Sequence, residues 1–341
     1  MQASALTVLF AAALVASMLI KFWLATRQMR HVAGHRDAVP APFAASITLP
    51  AHQKAADYTL AKGRFGLLTM AFGAAVLLGW TLLGGLDLLN TAVRDAVQPA
   101  WGAWMGFNLL ILVLYPTVIA PLFNKFEPLA DESLKARVQA LMARCGFAAK
   151  GLFVMDGSKR SAHANAYFTG MGAAKRVVFF DTLLSKLTPG EVEAVLAHEL
   201  GHFKHKHVTK RIVSMFAISL AGFAVLGWLS GQAWFYTALG VQPSLGAPND
   251  ALALLLFLMG VPVFSFFVSP LMAQLSRKHE FQADAYACAQ SNGQDLAAAL
   301  LKLHEDNAST LTPDPLYVRF YYSHPAALER LAAINLQASG T

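Results

Sequence analysis

The sequence predicts a mainly α-helical, polytopic membrane protein with about five transmembrane helices. Only 14% of its 341 residues are charged, whereas a typical soluble domain carries about 25%. The mean hydropathy is +0.45, and the apolar surplus is concentrated in stretches long enough to cross a hydrocarbon core of roughly 30 Å. We predict spans at residues 6–23, 65–86, 101–123, 212–229 and 251–275.

The distribution of basic residues predicts how these spans are oriented. Lys and Arg are frequent between the first two spans and in residues 124–211, but scarce in residues 90–100 and absent from residues 230–250. Because Lys and Arg accumulate in cytoplasmic loops, the N-terminus is predicted outside and the C-terminus in the cytoplasm. The net charge of +7 is therefore a topology signal, and we expect membrane lipid but no nucleic acid as a partner.

The spans divide the chain into four predicted regions. Residues 1–123 hold three spans, residues 124–211 form a cytoplasmic segment, residues 212–275 hold two further spans, and residues 276–341 form a C-terminal segment. The cytoplasmic segment has the composition of a small mixed domain. Its periodicity predicts a helix at residues 131–143 and short strands at residues 152–155 and 177–180.

A further helix is predicted to begin at residue 188. Thr188 can cap it, Pro189 suits its first turn, and Glu191 completes a capping box. This helix leads into the pattern H-E-x-x-H at residues 198–202.

The H-E-x-x-H pattern predicts a zinc site with one ion per chain. His198 and His202 are spaced i, i+4, so both imidazoles share one helical face and can bind the same ion, while Glu199 is placed to polarise a water molecule there. The fold prediction therefore includes a cytoplasmic zinc-metalloprotease domain. His205 and His207 follow among several lysines, and we interpret them as a basic collar where the chain enters the membrane.

A catalytic zinc usually takes three protein ligands, so one more is required. An extended motif with a third histidine fails, because position 205 is His rather than Gly and position 208 is Val. The best candidate is Glu280, which shares a helical face with Asp284. One of these carboxylates can bind zinc while the other accepts the N–H of a ligating imidazole. The alternative is a solvated helix face with no metal role.

Five segments, taken together, resemble one known family. They are residues 115–129, 151–184, 191–207, 276–287 and 306–330, and the stretches SAHANAYFTG and TPDPLY are especially specific. The chain resembles the type I CAAX prenyl endopeptidases, which are membrane-embedded zinc metalloproteases of the gluzincin type.

The resemblance implies a role for each matching residue. The zinc ligands would be His198, His202 and Glu280, and Glu199 would be the general base. Asp284 would belong to the catalytic residues as the hydrogen-bond partner of a ligating histidine. Asn165 and His324 would hold the substrate strand and the tetrahedral oxyanion.

The resemblance also implies the function. We expect an integral-membrane zinc endopeptidase that hydrolyses peptide bonds near the C-terminus of prenylated or membrane-proximal polypeptides. It would lie in the inner membrane of a bacterium, or in the endoplasmic reticulum of a eukaryote, with its catalytic domain facing the cytoplasm. The alternatives are a heat-shock-type quality-control protease, a catalytically impaired homologue, or a transporter whose ionisable cluster marks an ion path.

One departure from the family pattern bears on the substrate. Family members generally have seven spans around an intramembrane chamber, whereas five are predicted here. The shortfall lies between residues 86 and 101, where two helices and their loop are missing.

Overall fold

Long apolar helices dominate the computed structural model, which describes residues 3–96, 126–148, 151–159, 166–169, 176–244, 249–306 and 310–338. Four helices within these ranges have the length and hydropathy to cross a membrane, and the predicted multi-pass helical architecture is confirmed. In chain order the helices are α1 (Ala3–Gly34), α2 (Leu49–Trp80), α3 (Gly85–Ala96), α4 (Glu132–Arg144), α5 (Asp181–Lys186), α6 (Pro189–Lys204), α7 (His207–Ser230), α8 (Ala233–Ala238), α9 (Asp250–Gln290), α10 (Gly293–Asp306), α11 (Pro315–Tyr321) and α12 (Ala327–Ala338).

Four of the five predicted spans fall on α1, α2, α7 and α9, and the predicted span at residues 101–123 lies outside the described residues. The predicted end of the second span, residue 86, is wrong, because α2 ends at Trp80 and a turn separates it from α3. Gly84 makes this turn with a φ of +81°, a conformation that other residues rarely adopt. Hydropathy alone does not detect such a reversal among apolar residues.

Helix α9 joins the membrane to the rest of the protein. Its 41 residues give a length of about 60 Å, roughly twice the thickness of a hydrocarbon core. Pro262 and Pro270 both lie inside it. Pro270 cannot donate to the carbonyl of Phe266, and the hydroxyl of Ser269 donates to that oxygen instead at 2.8 Å. The helix therefore continues past both prolines and carries its last turns beyond the membrane-spanning part.

A small mixed sheet lies between the third and fourth predicted spans. Its strands are β1 (Phe126–Pro128), β2 (Gly151–Met155), β3 (Ala166–Thr169) and β4 (Arg176–Phe180). The order is β1-β2-β4-β3, with β2 and β4 parallel and the two outer strands antiparallel to them. The predicted strands at residues 152–155 and 177–180 and the predicted helix at residues 131–143 are confirmed as β2, β4 and α4.

Two apolar cores hold these elements. One packs the sheet against α4, α6, α10 and α12, with Val138, Phe179, Leu196 and Ile334 at its centre. The other lies among the membrane helices and includes Phe10. The H-E-x-x-H helix α6 belongs to the first core, so packing of its apolar side chains fixes the position of the helix.

Candidate active site

The H-E-x-x-H residues lie on α6, whose start is fixed by the predicted capping box. The Oγ1 of Thr188 accepts the backbone N–H of Glu191 at 3.4 Å, and the Glu191 carboxylate accepts the backbone N–H of Thr188 at 2.7 Å. Lys302 also donates to Glu191 at 2.7 Å. Ten residues after this cap, His198 and His202 project from the same face, and their Nε2 atoms are 3.2 Å apart.

Glu280 on α9 completes a cluster with the two histidines. One of its carboxylate oxygens lies 3.6 Å from Nε2 of His198 and the other lies 3.4 Å from Nε2 of His202. The three side chains therefore offer ligand atoms that all lie within 4.8 Å of one another.

These distances place the three side chains within reach of one metal ion. Metal–ligand bonds of about 2.0–2.1 Å in a tetrahedron give ligand–ligand edges of about 3.3 Å. The two Nε2 atoms, 3.2 Å apart, match that edge, and each of them lies 3.4 or 3.6 Å from a different oxygen of Glu280. Two imidazole nitrogens and one carboxylate oxygen are also the donor set of many catalytic zinc sites.

The close approach of α6 and α9 depends on a glycine inside the motif. A Cβ atom on Gly201 would lie 2.9 Å from the Cα of Ala283 and 3.1 Å from its carbonyl oxygen. Real Cβ atoms essentially never approach backbone so closely. Glycine at position 201 therefore lets α6 and α9 approach closely where Glu280 meets the histidines of α6.

Asp284 lies one turn after Glu280 and binds the far side of His198. Its Oδ1 is 2.8 Å from Nδ1 of His198, so the imidazole N–H is donated to the carboxylate and Nε2 is left free for a metal. The side chain of Asp284 is only 2% exposed. Such a buried charge requires a compensating cation.

Arg330 on α12 supplies that cation, and sequence reasoning missed it. Its Nε and Nη2 donate to the two carboxylate oxygens of Asp284 at 2.8 and 2.6 Å, and its Nη1 lies 3.8 Å from Glu280. Desolvation lowers the pKa of this guanidinium, but the hydrogen bonds and charge of Asp284 outweigh the loss and raise it overall. A buried aspartate requires a nearby cation, which indicates that Asp284 has a basic partner. The sequence does not show which arginine is that partner.

His324, proposed from the family resemblance, lies at the same cluster. Its Nε2 is 3.5 Å from a carboxylate oxygen of Glu280, and Ser323 Oγ contacts its Nδ1 at 3.0 Å. The His324 side chain is 66% exposed, so it can swing toward a bound substrate. Asn165, the other residue proposed from the resemblance, lies outside the described residues.

A cavity of about 370 Å³ opens onto these groups. Glu199 lines it together with His198, His202, Glu280 and His324. Desolvation lowers the pKa of His202, but its hydrogen bond to Glu280 and the charges of Glu280 and Glu199 raise it above its ordinary value. The site therefore favours positive charge where the three ligand atoms meet. The apolar part of the wall is formed by Ala166, Leu183, Val195, Val208, Leu296, Leu300 and Leu303.

The interpretation of His205 and His207 as a basic collar is wrong for His207 and stays a prediction for His205. His205 is half-buried at the end of α6. His207 is only 4% exposed, and its Nδ1 lies 3.0 Å from Nδ1 of His202. His207 thus faces the metal cluster and not the membrane surface.

Comparison with known families agrees with this geometry. The model of peptidase family M48 matches residues 128–338, a range that contains the whole cluster. The chain belongs to peptidase family M48. A second model, described as CAAX prenyl protease N-terminal, five membrane helices, matches residues 28–100. Membership in this metallopeptidase family implies a bound metal, and the resemblance found in the sequence is confirmed.

Individual relatives of this M48 chain carry the prenyl protease name. CAAX prenyl protease 1 of Saccharomyces cerevisiae is 38% identical over 240 residues, which cover 67% of this chain and 53% of that protein. The Arabidopsis thaliana homolog of CAAX prenyl protease 1 is 39% identical over 243 residues, covering 69% and 55%. The chain thus spans about half the length of the curated relatives it matches. The crystal structure of S. mikatae Ste24p superposes with a TM-score of 0.78 at 26% identity, over 97% of this chain and 99% of that one.

Proposed function

We propose that this protein is a membrane-embedded zinc endopeptidase that cleaves near the C-terminus of prenylated or membrane-proximal polypeptides. The observation that carries the proposal is the cluster of His198, His202 and Glu280, whose ligand atoms lie within 4.8 Å of one another and which shares a cavity with Glu199. The names of the M48 relatives support the choice of peptide substrate.

Zinc is the metal that the donor set favours. Two imidazoles and one carboxylate, with one position left for solvent or substrate, are typical of catalytic zinc. When bound, zinc supplies Lewis acidity toward a carbonyl oxygen and lowers the pKa of water at the site. His198, His202 and Glu280 would hold one ion per chain, and Asp284 would keep the ring of His198 in its ligating orientation.

The remaining residues move protons and hold the substrate. Glu199 accepts a proton from the attacking water and passes it to the leaving amine, as a general base that becomes a general acid. His324 donates a hydrogen bond to the oxygen that becomes negative when the peptide carbonyl is attacked. Its exposed ring beside Glu280 is suitably placed for this contact. Asn165 holds the extended substrate backbone, a role that rests on the family resemblance alone.

The first experiment separates catalysis from metal binding. Glu199→Gln keeps the size of the side chain and removes its basicity, so the purified variant should retain about one zinc per chain. Its kcat/KM for peptide cleavage should fall by about 10²–10⁴-fold. Near-normal turnover in this variant would show that Glu199 is not the general base. An unmodified protein that binds zinc but cleaves no peptide would instead point to the catalytically impaired homologue.

We also propose that the site faces the cytoplasm of a bacterial inner membrane, or of the endoplasmic reticulum in a eukaryotic host. The basis is the alternation of basic and non-basic loops along the sequence. A reporter enzyme fused near residue 39 should signal from the cytoplasm, and one fused near residue 243 should signal from outside. The reverse pattern would overturn the orientation.

The membrane chamber is proposed to be smaller than in the family. The segment that matches the five-helix model, residues 28–100, is too short for five spans of about 20 residues each. This short match supports the proposal that two family helices and their loop are absent between residues 86 and 101. Because lipid binding requires a wall that receives the lipid, we propose that extended membrane-proximal peptides are cleaved with little dependence on a prenyl group.

A further inference from the structure

His207 reaches the metal cluster because the backbone reverses just before it. Helix α6 ends at Lys204, and Lys206 adopts a φ of 56°, the one positive φ among non-glycine residues in the described part of the chain. A residue with a Cβ atom rarely adopts this left-handed conformation, because its Cβ crowds the following carbonyl oxygen. Helix α7 begins at His207, and the turn directs its imidazole back under α6. A strained turn of this kind is retained when the neighbouring contacts require it.

A chain of side chains runs outward from His202 through His207. Nδ1 of His202 lies 3.0 Å from Nδ1 of His207, and Nε2 of His207 lies 3.0 Å from Oε1 of Gln282 on α9. The ring of His279 stacks on His207, with centroids 4.0 Å apart and an angle of 13° between the planes. The ring of His205 is also nearly parallel to that of His207, with centroids 5.5 Å apart and an angle of 16°. His207 is thus fixed at both of its nitrogens and by stacked rings.

The protons along this chain follow from the ligand role of His202. A ligating Nε2 must present its lone pair, so the neutral ring of His202 carries its proton on Nδ1. Nδ1 of His207 must then accept that proton in a hydrogen bond, which leaves the proton of His207 on Nε2. This proton is donated to Oε1 of Gln282, an atom that only accepts. Each group in the chain has a single consistent role.

We propose that His207 is a positioning residue that fixes the tautomer and the ring orientation of His202, with Gln282 as its anchor. The inference rests on the proposed metal site. The two ligating histidines are then held differently. The ion pair of Asp284 and Arg330 orients His198. The uncharged hydrogen-bonded side chains of His207 and Gln282 orient His202. Removing the acceptor at position 207 frees the ring of His202 to turn away and to take the wrong tautomer, so the site loses metal affinity.

The test measures the zinc affinity of the full-length chain in detergent by competition with a chelator. His207→Ala should weaken zinc binding by about 10–100-fold, the usual effect of removing a partner of a metal ligand. His207→Asn should restore most of the affinity, because its Oδ1 occupies nearly the place of the histidine Nδ1 and accepts the same proton. Lys204→Ala is the control from the same turn, because the Lys204 side chain is exposed, and it should bind zinc as the unmodified chain does.

Thermal unfolding of the metal-free variants shows whether each of them folds. Gln282→Leu serves as a second variant if His207→Ala does not fold, and it should weaken zinc binding by a smaller factor, whereas Gln282→Glu should preserve it. Binding within threefold of the unmodified protein for both His207→Ala and Gln282→Leu would overturn the proposal. So would a folded His207→Asn that binds no better than His207→Ala. Failure of the unmodified chain itself to bind zinc would instead refute the proposed metal site.

Discussion

Helix α7 in the membrane region exposes its apolar side chains along its length, whereas helix α6 in the protease region buries charged and polar ones. We use "membrane region" for α1, α2, α7, α8 and α9 up to residue 275, and "protease region" for residues 126–204 and 276–338. Phe216 on α7 is 72% exposed, while Glu193 and His198 on α6 are buried.

The difference shows which property of the sequence or structure reveals the contacts of each region. An apolar surface facing lipid needs no partner, so hydropathy reveals a membrane helix but not its neighbours. A buried polar group in the protease region must be hydrogen-bonded or ion-paired. From His198, these partners run to Asp284 and then to Arg330. Burial of polar groups therefore locates the site.

The largest expected effect comes from comparing a buried with an exposed aspartate. Asp284→Asn leaves Arg330 buried without its counter-charge, which should destabilise the protein by about 3–5 kcal/mol and weaken zinc binding. Asp57 makes a similar two-point contact with Arg36 at 2.7 and 2.8 Å, but it is exposed on α2. Asp57→Asn should leave the thermal unfolding midpoint in detergent nearly unchanged. Equal shifts for the two variants would contradict the comparison.

A pair of glycines tests the packing of the two regions. Gly201→Ala forces α6 away from Ala283 on α9, and we expect a loss of about 1–3 kcal/mol together with reduced zinc content. Gly227 on α7 has nothing within 4 Å of the position where a Cβ would lie. Gly227→Ala should therefore cost no stability. Denaturant or thermal unfolding of both variants measures the difference, and a tolerant Gly201 would mean that the two helices can repack.

The smallest expected effect concerns the lipid of the substrate. The M48 match covers residues 128–338, which include the candidate metal ligands, while the membrane region is proposed to lack two helices of the chamber wall. A farnesylated peptide should be favoured over its unmodified twin by less than about tenfold in kcat/KM, or about 1.4 kcal/mol. The pair should be assayed in detergent and in liposomes. A preference of several hundredfold would show that the chamber is complete enough to bind the lipid.

Local patterns allowed much of this structure to be predicted. The cap at Thr188, the shared face of His198 and His202, and the strands β2 and β4 each depend on residues close together in the chain, and all are present. The boundary of α2 was less predictable. Hydropathy registers only apolar stretches, whereas α2 begins at Leu49 in a polar segment and continues as one helix.

The positions that sequence reasoning missed depend on tertiary structure. Arg330 is 46 residues from Asp284 along the chain, and no local pattern links them. His207 was misinterpreted because the lysines around it indicate a solvated surface. The reversal at Lys206, which turns the ring inward, carries none of the glycine or asparagine signal that usually marks such a conformation.

The order of the ligands along the chain has a consequence during synthesis. Both histidines emerge from the ribosome on α6, but Glu280 follows only after α7 and most of α9 have been made. A nascent chain that ends at residue 270 therefore carries two ligands and no carboxylate to complete them. The cluster closes only when the far end of α9 has left the bilayer and packed on Gly201. The three candidate ligands therefore come together only after α7 and the membrane-spanning part of α9 have been synthesised and inserted.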